Sequence, residues 1–173
     1  MAFRCETAYD QEAMTAMAKA IRKTARRKRS KRSHVFGVIV IVLALLLTLP
    51  LGDKKFEIDF RTVITWAAAA ILLFTLIFED RINGYVARKR MLPGLARAVV
   101  TFHEDGYHSE TEVGSSDFQY GTVALLAETK DYFVFVLSQN HAQIYSKKSL
   151  TGGTAEEFRA FITNAVGKEI RQV

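Results

Sequence analysis

With one cysteine in 173 residues, Cys5, the chain has no internal disulfide, and no apolar signal segment precedes that thiol as a lipidated cysteine requires. The first 20 residues lack the apolar core and small-residue cleavage site of a secretory leader, so no cleavable signal peptide is expected here. Catalytic patterns are equally scarce. No glycine elbow surrounds Ser115, Ser116 and Asp117, which read as a loop, and no glycine-rich phosphate loop accompanies Lys147 and Lys148. His103 and His108, facing each other across an Asp-Gly turn with Glu110 and Glu112 alongside, would make a metal set. No further histidine or cysteine stands at a fixed spacing from them, and a polar outer hairpin face explains them better. The expectation is a chain without enzymatic activity, metal or cofactor.

Charge is missing altogether from residues 35–51 and 62–78, and both stretches are apolar. As a helix, a run of about 17 residues spans roughly 25 Å, slightly short of a bilayer core of about 30 Å, so flanking residues must extend it. The pair predicts a membrane hairpin. Before it lie Arg22, Lys23, Arg26, Arg27, Lys28, Arg29, Lys31 and Arg32, and after it Arg81, Arg88, Lys89, Arg90 and Arg97. Positive flanks stay in the cytosol, which predicts a multi-pass protein of the cell membrane with both termini cytoplasmic and a short, charge-balanced loop at residues 52–61 on the other side. Glu79 and Asp80 fall at the bilayer edge beside Arg81, where pairing and water stabilise them.

The net charge of +6 conceals an asymmetry. Residues 1–96 carry 17 basic and 8 acidic side chains, residues 97–173 carry 7 and 10. A nucleic-acid-binding domain wears its positive patch on its own surface, so nucleic acid is excluded as a partner. The basic side chains instead mark contacts with anionic lipid headgroups or a membrane protein: Arg26, Arg27 and Arg29 before the hairpin, Arg88 and Arg90 after it, and Lys147 with Lys148 in the C-terminal segment. Met14, Met17, Ala18, Ile21 and Ala25 recur at helical spacing and predict an amphipathic helix, capped by Asp10, that runs into the first membrane helix.

Beyond Pro93 and Gly94 the period changes from helical to alternating, which places a domain boundary there. Val100 and Phe102, a turn at residues 104–107, then Ser109, Thr111 and Val113 predict a hairpin. Further strands follow at about residues 118–120, 122–129, 132–137 and 141–145, the third of them an unbroken apolar run that needs cover on both faces. Thr154 with Glu157 is a capping box for a closing helix whose apolar face is Phe158, Phe161, Ile162, Ala165, Val166 and Ile170. Alternation at Phe3, Cys5 and Thr7 allows a first strand in the same sheet, with the hairpin inserted after it.

These residues carry a resemblance. Phe102 with Glu104-Asp105-Gly106, Glu128-Thr129-Lys130 leading into Tyr132-Phe133, Ser138 with Asn140, and Glu156-Glu157-Phe158-Arg159 resemble the C-terminal domain of YcxB-like membrane proteins. The resemblance implies a bacterial inner-membrane protein with a pleckstrin-homology-like (PH-like) cytosolic domain. The expected fold class is therefore α+β: a short strand and basic helix at 1–33, a two-helix transmembrane hairpin at 34–92, and at 97–173 a small PH-like bent sheet or barrel closed by an amphipathic helix. Such a fold hosts lipid, peptide and protein binding alike. Two readings stand: a membrane-anchored cytosolic module holding a protein segment or lipid headgroup near the bilayer, or a structural assembly subunit acting through its helices, where residues 66–70 (Trp-Ala-Ala-Ala-Ala) offer a small-residue packing face.

Overall fold

The structure, a computed structural model, describes residues 2–50 and 58–173. The chain forms two units, Met1–Arg27 with Asp80–Val173 as one and Lys28–Glu79 as the other. Among the described residues they hold a mixed α+β arrangement of two sheets and five α-helices.

In the first unit, alternation at the N-terminus forms strand β1 (Phe3–Ala8), whose odd residues are buried and even ones exposed. It pairs antiparallel with β2 (Arg97–Phe102), so the segment between them is an insertion in one sheet. Strands β3 (Gly106–Thr111) and β4 (Gly114–Gln119) extend the sheet on one side, and β8 (Leu150–Thr151) pairs with β1 on the other, giving the order β4-β3-β2-β1-β8. The second sheet has the order β7-β6-β5-β9, from β5 (Leu125–Glu128), β6 (Tyr132–Val136), β7 (Ala142–Ser146) and β9 (Ile170–Gln172). Cys5 and Thr7 link the sheets: the Cys5 thiol donates to Ser146 O at 3.2 Å and the Ser146 amide donates to Thr7 Oγ1 at 3.1 Å. Burial pushes the Cys5 thiol pKa up, which keeps it protonated and unreactive.

Phe102 centres the core between the sheets, with ring centroids 4.8 Å from Phe158, 5.0 Å from Tyr145 and 6.0 Å from Phe135. Phe158 belongs to α5 (Ala155–Val166), whose start is closed by the expected capping box between Thr154 and Glu157. The helix stops sooner than its apolar period suggests. Gly167 takes the left-handed conformation (φ 67°), and Ile170, expected on the helix, instead pairs in parallel with Leu126 as part of β9.

The unbroken apolar run in β6 is covered on both faces. Phe133 and Phe135 enter the core just described, while Val134 and Val136 pack in a second cluster with Ile144 and with Ala13 and Ala20 of α1 (Gln11–Lys23). Asp10 caps α1 as expected. Its small apolar face therefore belongs to the protein core, and the helix is broken at Thr24 before α2 (Arg27–Leu46) begins. Against the other side of α1 lies α4 (Glu79–Lys89), tied by a two-pronged ion pair in which Arg22 Nε and Nη2 donate to Asp80 at 2.6 and 2.7 Å. Arg22, rather than the adjacent Arg81, is thus the partner of Asp80.

The second unit pairs α2 with α3 (Phe60–Ile77). Leu76 lies over Gly37, the Trp66 indole donates to Thr48 Oγ1 at 3.2 Å, and Glu79 approaches His34 at 3.4 Å. The expected spans at 35–51 and 62–78 shift accordingly. The first helix starts eight residues earlier, in the basic segment, and among the described residues α3 is the one helix both long and apolar enough to cross a membrane by length and composition. Large apolar side chains on both helices are exposed, Phe36, Leu43, Ile71 and Phe74 among them. The far end of the first run, Leu51, and most of the connecting loop lie outside the described residues.

Gly84 marks a tight crossing of α4 over α1, because a Cβ there would sit 2.7 Å from Thr15 N and 2.8 Å from Thr15 Cα, backbone that has no freedom to give way. Gly84→Ala is expected to destabilise the first unit by about 1–2 kcal/mol, overpacking outweighing the better helix propensity of alanine. Thermal unfolding of the solubilised chain followed by near-ultraviolet circular dichroism reads this. An unchanged or higher midpoint would show that α1 and α4 do not cross at Gly84.

Candidate binding groove and sheet edge

The segment expected to be a loop at Ser115, Ser116 and Asp117 is a strand. A two-residue turn at Glu112 and Val113 reverses the chain, Thr111 pairs with Gly114, and β4 runs back along β3 with Ser109 opposite Ser116 and Tyr107 opposite Phe118. Almost every β4 side chain is exposed, so the alternation that betrays a half-buried strand is missing. The β2–β3 register also departs from the expected histidine pairing. His108 stands opposite Thr101 rather than His103, and its Nδ1 is 2.6 Å from Asp117. No cluster able to hold a metal ion occurs among the described residues.

As the last strand of its sheet, β4 has one side unpaired. A two-residue turn makes its flanking pair, Thr111 and Gly114, a hydrogen-bonded one, and such pairs alternate along an antiparallel ladder. The backbone groups of Gly114, Ser116 and Phe118 therefore turn towards β3, and those of Ser115 and Asp117 face outward. Among the described residues nothing pairs with them.

Beside this edge the inner sheet face opens into a groove of about 490 Å³. Ser109, Thr111, Ser116 and Phe118 form one wall, and Met91, Leu95 and Tyr9 another. Its floor is Gln143 on β7, whose Oε1 accepts from Tyr107 at 2.7 Å and from Tyr145 at 2.8 Å, one hydroxyl from each sheet. Tyr107 also stacks on Phe118, centroids 5.1 Å apart. Burial pushes the phenol pKa of Tyr9 and of Tyr107 up to about 12 and that of Tyr145 well above its ordinary 10. The floor is thus uncharged across the physiological range, and the groove suits apolar and neutral polar groups rather than a bare anion.

The basic residues singled out from sequence are dispersed. Arg26 is held by the β6–β7 turn, donating to Gln139 O at 2.8 Å and to the Asn140 side chain. Arg27, Arg29, Arg88 and Arg90 are exposed, and Arg88 lines a shallow groove with Tyr9, Pro93 and Arg97. Lys148 is exposed, but Lys147 points inward. Its Nζ lies 2.5 Å from Glu128 Oε1 and 4.9 Å from the centre of the Phe133 ring, so its charge is already neutralised.

Glu128 is 2% exposed and accepts from three side chains beyond the reach of any local motif. Arg159 of α5 donates through Nε and Nη2 at 2.8 Å each, Lys147 at 2.5 Å, and Gln172 of β9 at 2.8 Å. Burial by itself would raise the carboxyl pKa, but the hydrogen bonds from Arg159, Lys147 and Gln172 outweigh it and hold the group at about 2.

Residues 102–162 match the model of the family described as YcxB-like protein. The match begins at the end of β2 and runs into α5, taking in β4, Gln143, Glu128, Lys147 and Arg159. No curated protein and no solved structure matches the chain.

Because the Glu128 carboxyl is depressed from 4.5 to about 2 on folding, the stability it confers is complete above the unfolded pKa and disappears as pH falls through the folded one. That difference corresponds to about 3 kcal/mol near neutrality. Glu128→Gln should cost roughly that amount at neutral pH, with the gap between variant and parent closing between pH 4.5 and pH 2. Denaturant titrations across that range decide it, and a gap independent of pH would mean the carboxyl is not ionised in the folded chain.

Proposed function

Taking residues 102–162 as a YcxB-like domain, we propose that the chain is a membrane-tethered binding module that holds an extended protein segment along β4 and over the adjoining groove. The observation that carries this reading is the coincidence of an unpaired strand edge with a groove whose floor is preorganised and neutral. An edge supplies backbone donors and acceptors without regard to sequence, and a neighbouring groove selects alternate side chains of the added strand. A partner that covers the edge also removes the hazard of an unprotected strand.

The tether in this reading is a two-helix transmembrane hairpin built from α2 and α3. Length and composition of α3 support it, as do the apolar surfaces both helices present and the positive flanks at each end. Both termini, and with them the PH-like domain, then lie in the cytosol, at the inner membrane of a bacterium. Exposed Arg27, Arg29, Arg88 and Arg90 meet anionic headgroups there, contributing on the order of 1 kcal/mol each. Lys148 has the same exposure, whereas Lys147 is committed to Glu128. Under the competing assembly reading, the partner would instead seat on the helices near residues 67–70, of which Ala69 is already buried between them.

A photo-crosslinking residue at Asp117 should capture a protein in native membranes, and Ser115→Pro, which deletes an outward amide without breaking the β3 ladder, should abolish the product. Capture that persists in Ser115→Pro, or that is lost only on enlarging residues 67–70, would favour assembly through the helices; capture of lipid alone would make β4 a headgroup contact. Topology has its own readout. Native Cys5 is buried and so silent, and a cysteine at Ser116 should react with a membrane-impermeant maleimide only after the cells are permeabilised. Labelling of intact cells would place the domain on the opposite side.

A further inference from the structure

The edge strand lies in an unusual stretch of charge. Between Arg97 and Lys130 the sequence has no lysine or arginine, yet it contains Glu104, Asp105, Glu110, Glu112, Asp117 and Glu128 in a chain whose net charge is +6. Lys147 and Arg159 neutralise Glu128, and Asp117 lies 2.6 Å from His108 Nδ1; among the described residues no lysine or arginine pairs with the other five. The others are exposed and spread along the hairpins that end in β4: Glu104 and Asp105 at the β2–β3 turn, Glu112 at the β3–β4 turn at the opposite end, and Glu110 and Asp117 on the outer face of β3 and β4. On that face the pairing sets Glu110 opposite Ser115 and His108 opposite Asp117, whereas Ser109 and Ser116 share the inner, groove-lining face.

An added strand inherits this two-sidedness. Its residues opposite Ser116 and Phe118 turn into the groove among Leu95, Met91 and neutral hydroxyls, and those opposite Ser115 and Asp117 turn outward beside the acidic group. We infer that the segment held by β4 is basic and alternating, lysine or arginine at outward positions and small or medium apolar residues at inward ones. The inference rests on the edge-binding reading of the preceding section and adds the chemistry of the partner. Cytosolic segments that border membrane spans carry an excess of lysine and arginine. A domain tethered beside the bilayer meets such segments first, so the partner is the juxtamembrane segment of another membrane protein. An anionic lipid headgroup fits poorly, because the acidic side chains around the edge repel it and the groove floor offers it no cation.

The test uses the full chain in neutral maltoside micelles and the anisotropy of fluorescein-labelled nine-residue peptides alternating Lys and Val, or Glu and Val. The Lys/Val peptide should bind at least roughly tenfold more tightly. Neutralising the outer face with Glu110→Gln and Asp117→Asn should erase that preference, and Ser115→Pro should remove binding of either peptide, the near-ultraviolet tyrosine signal confirming each fold. Equal binding of both peptides, lost in Ser115→Pro, overturns the basic partner and leaves the edge reading standing. Preference for Lys/Val that survives Ser115→Pro overturns the edge reading and reduces the acidic face to a nonspecific attraction. Binding of neither peptide overturns the basic, alternating partner.

Discussion

Four distant parts of the first unit converge on one buried carboxylate. Glu128 ends β5, and its oxygens receive Lys147 from the turn after β7, Arg159 from the middle of α5 and Gln172 from β9. A lone carboxylate at 2% exposure would be too costly to keep ionised. Three donors on three elements make the charged form the favoured one, and each element is thereby held to the others. The closing helix can lie across the sheet only where Arg159 reaches Glu128, and this seats Phe158 against Phe102. The groove inherits its geometry from that arrangement, since Gln143 and Tyr145 sit on the strand that leads to Lys147.

What was legible in the sequence was local. The capping box at Thr154 and Glu157, the cap at Asp10, the first-strand alternation and the two-sided burial of β6 all follow from neighbours a few residues apart. The departures share a cause in tertiary pairing. Ile170 continues the helical period of α5, but Gly167 turns the chain and parallel pairing with β5 claims it. The apolar face of α1 reads equally well as a lipid contact or a core face, and only the packing of Ala13 and Ala20 on Val134 and Val136 decides. Lys147 looked like a free cation because its partner is 19 residues away on another strand.

The candidate groove and the basic residues that the sequence singles out are different parts of the molecule. Positive charge beside apolar runs marks candidate headgroup contacts, which picks out arginines and Lys147 with Lys148. The groove's defining atoms are instead hydroxyls and an amide, residue types too common to stand out. The first part of β4, Ser115 to Asp117, reads as a loop because an exposed edge has no apolar face to reveal it. The absence of lysine and arginine from residues 98–129 was the one available signal, and it is a property of a stretch rather than of a motif.

The placement of β1 bears on how the chain is made. It lies inside its sheet, paired on both sides by β2 and β8, yet it precedes both in the chain, and about 90 residues separate it from β2. As the nascent chain leaves the ribosome, this strand stays without its partners while the whole inserted helical pair is translated. The sheet therefore cannot close before the inserted helices have been translated. By the same logic a fragment beginning at residue 97 is not a self-sufficient domain, since it bares the Val100 and Phe102 edge that β1 is built to cover.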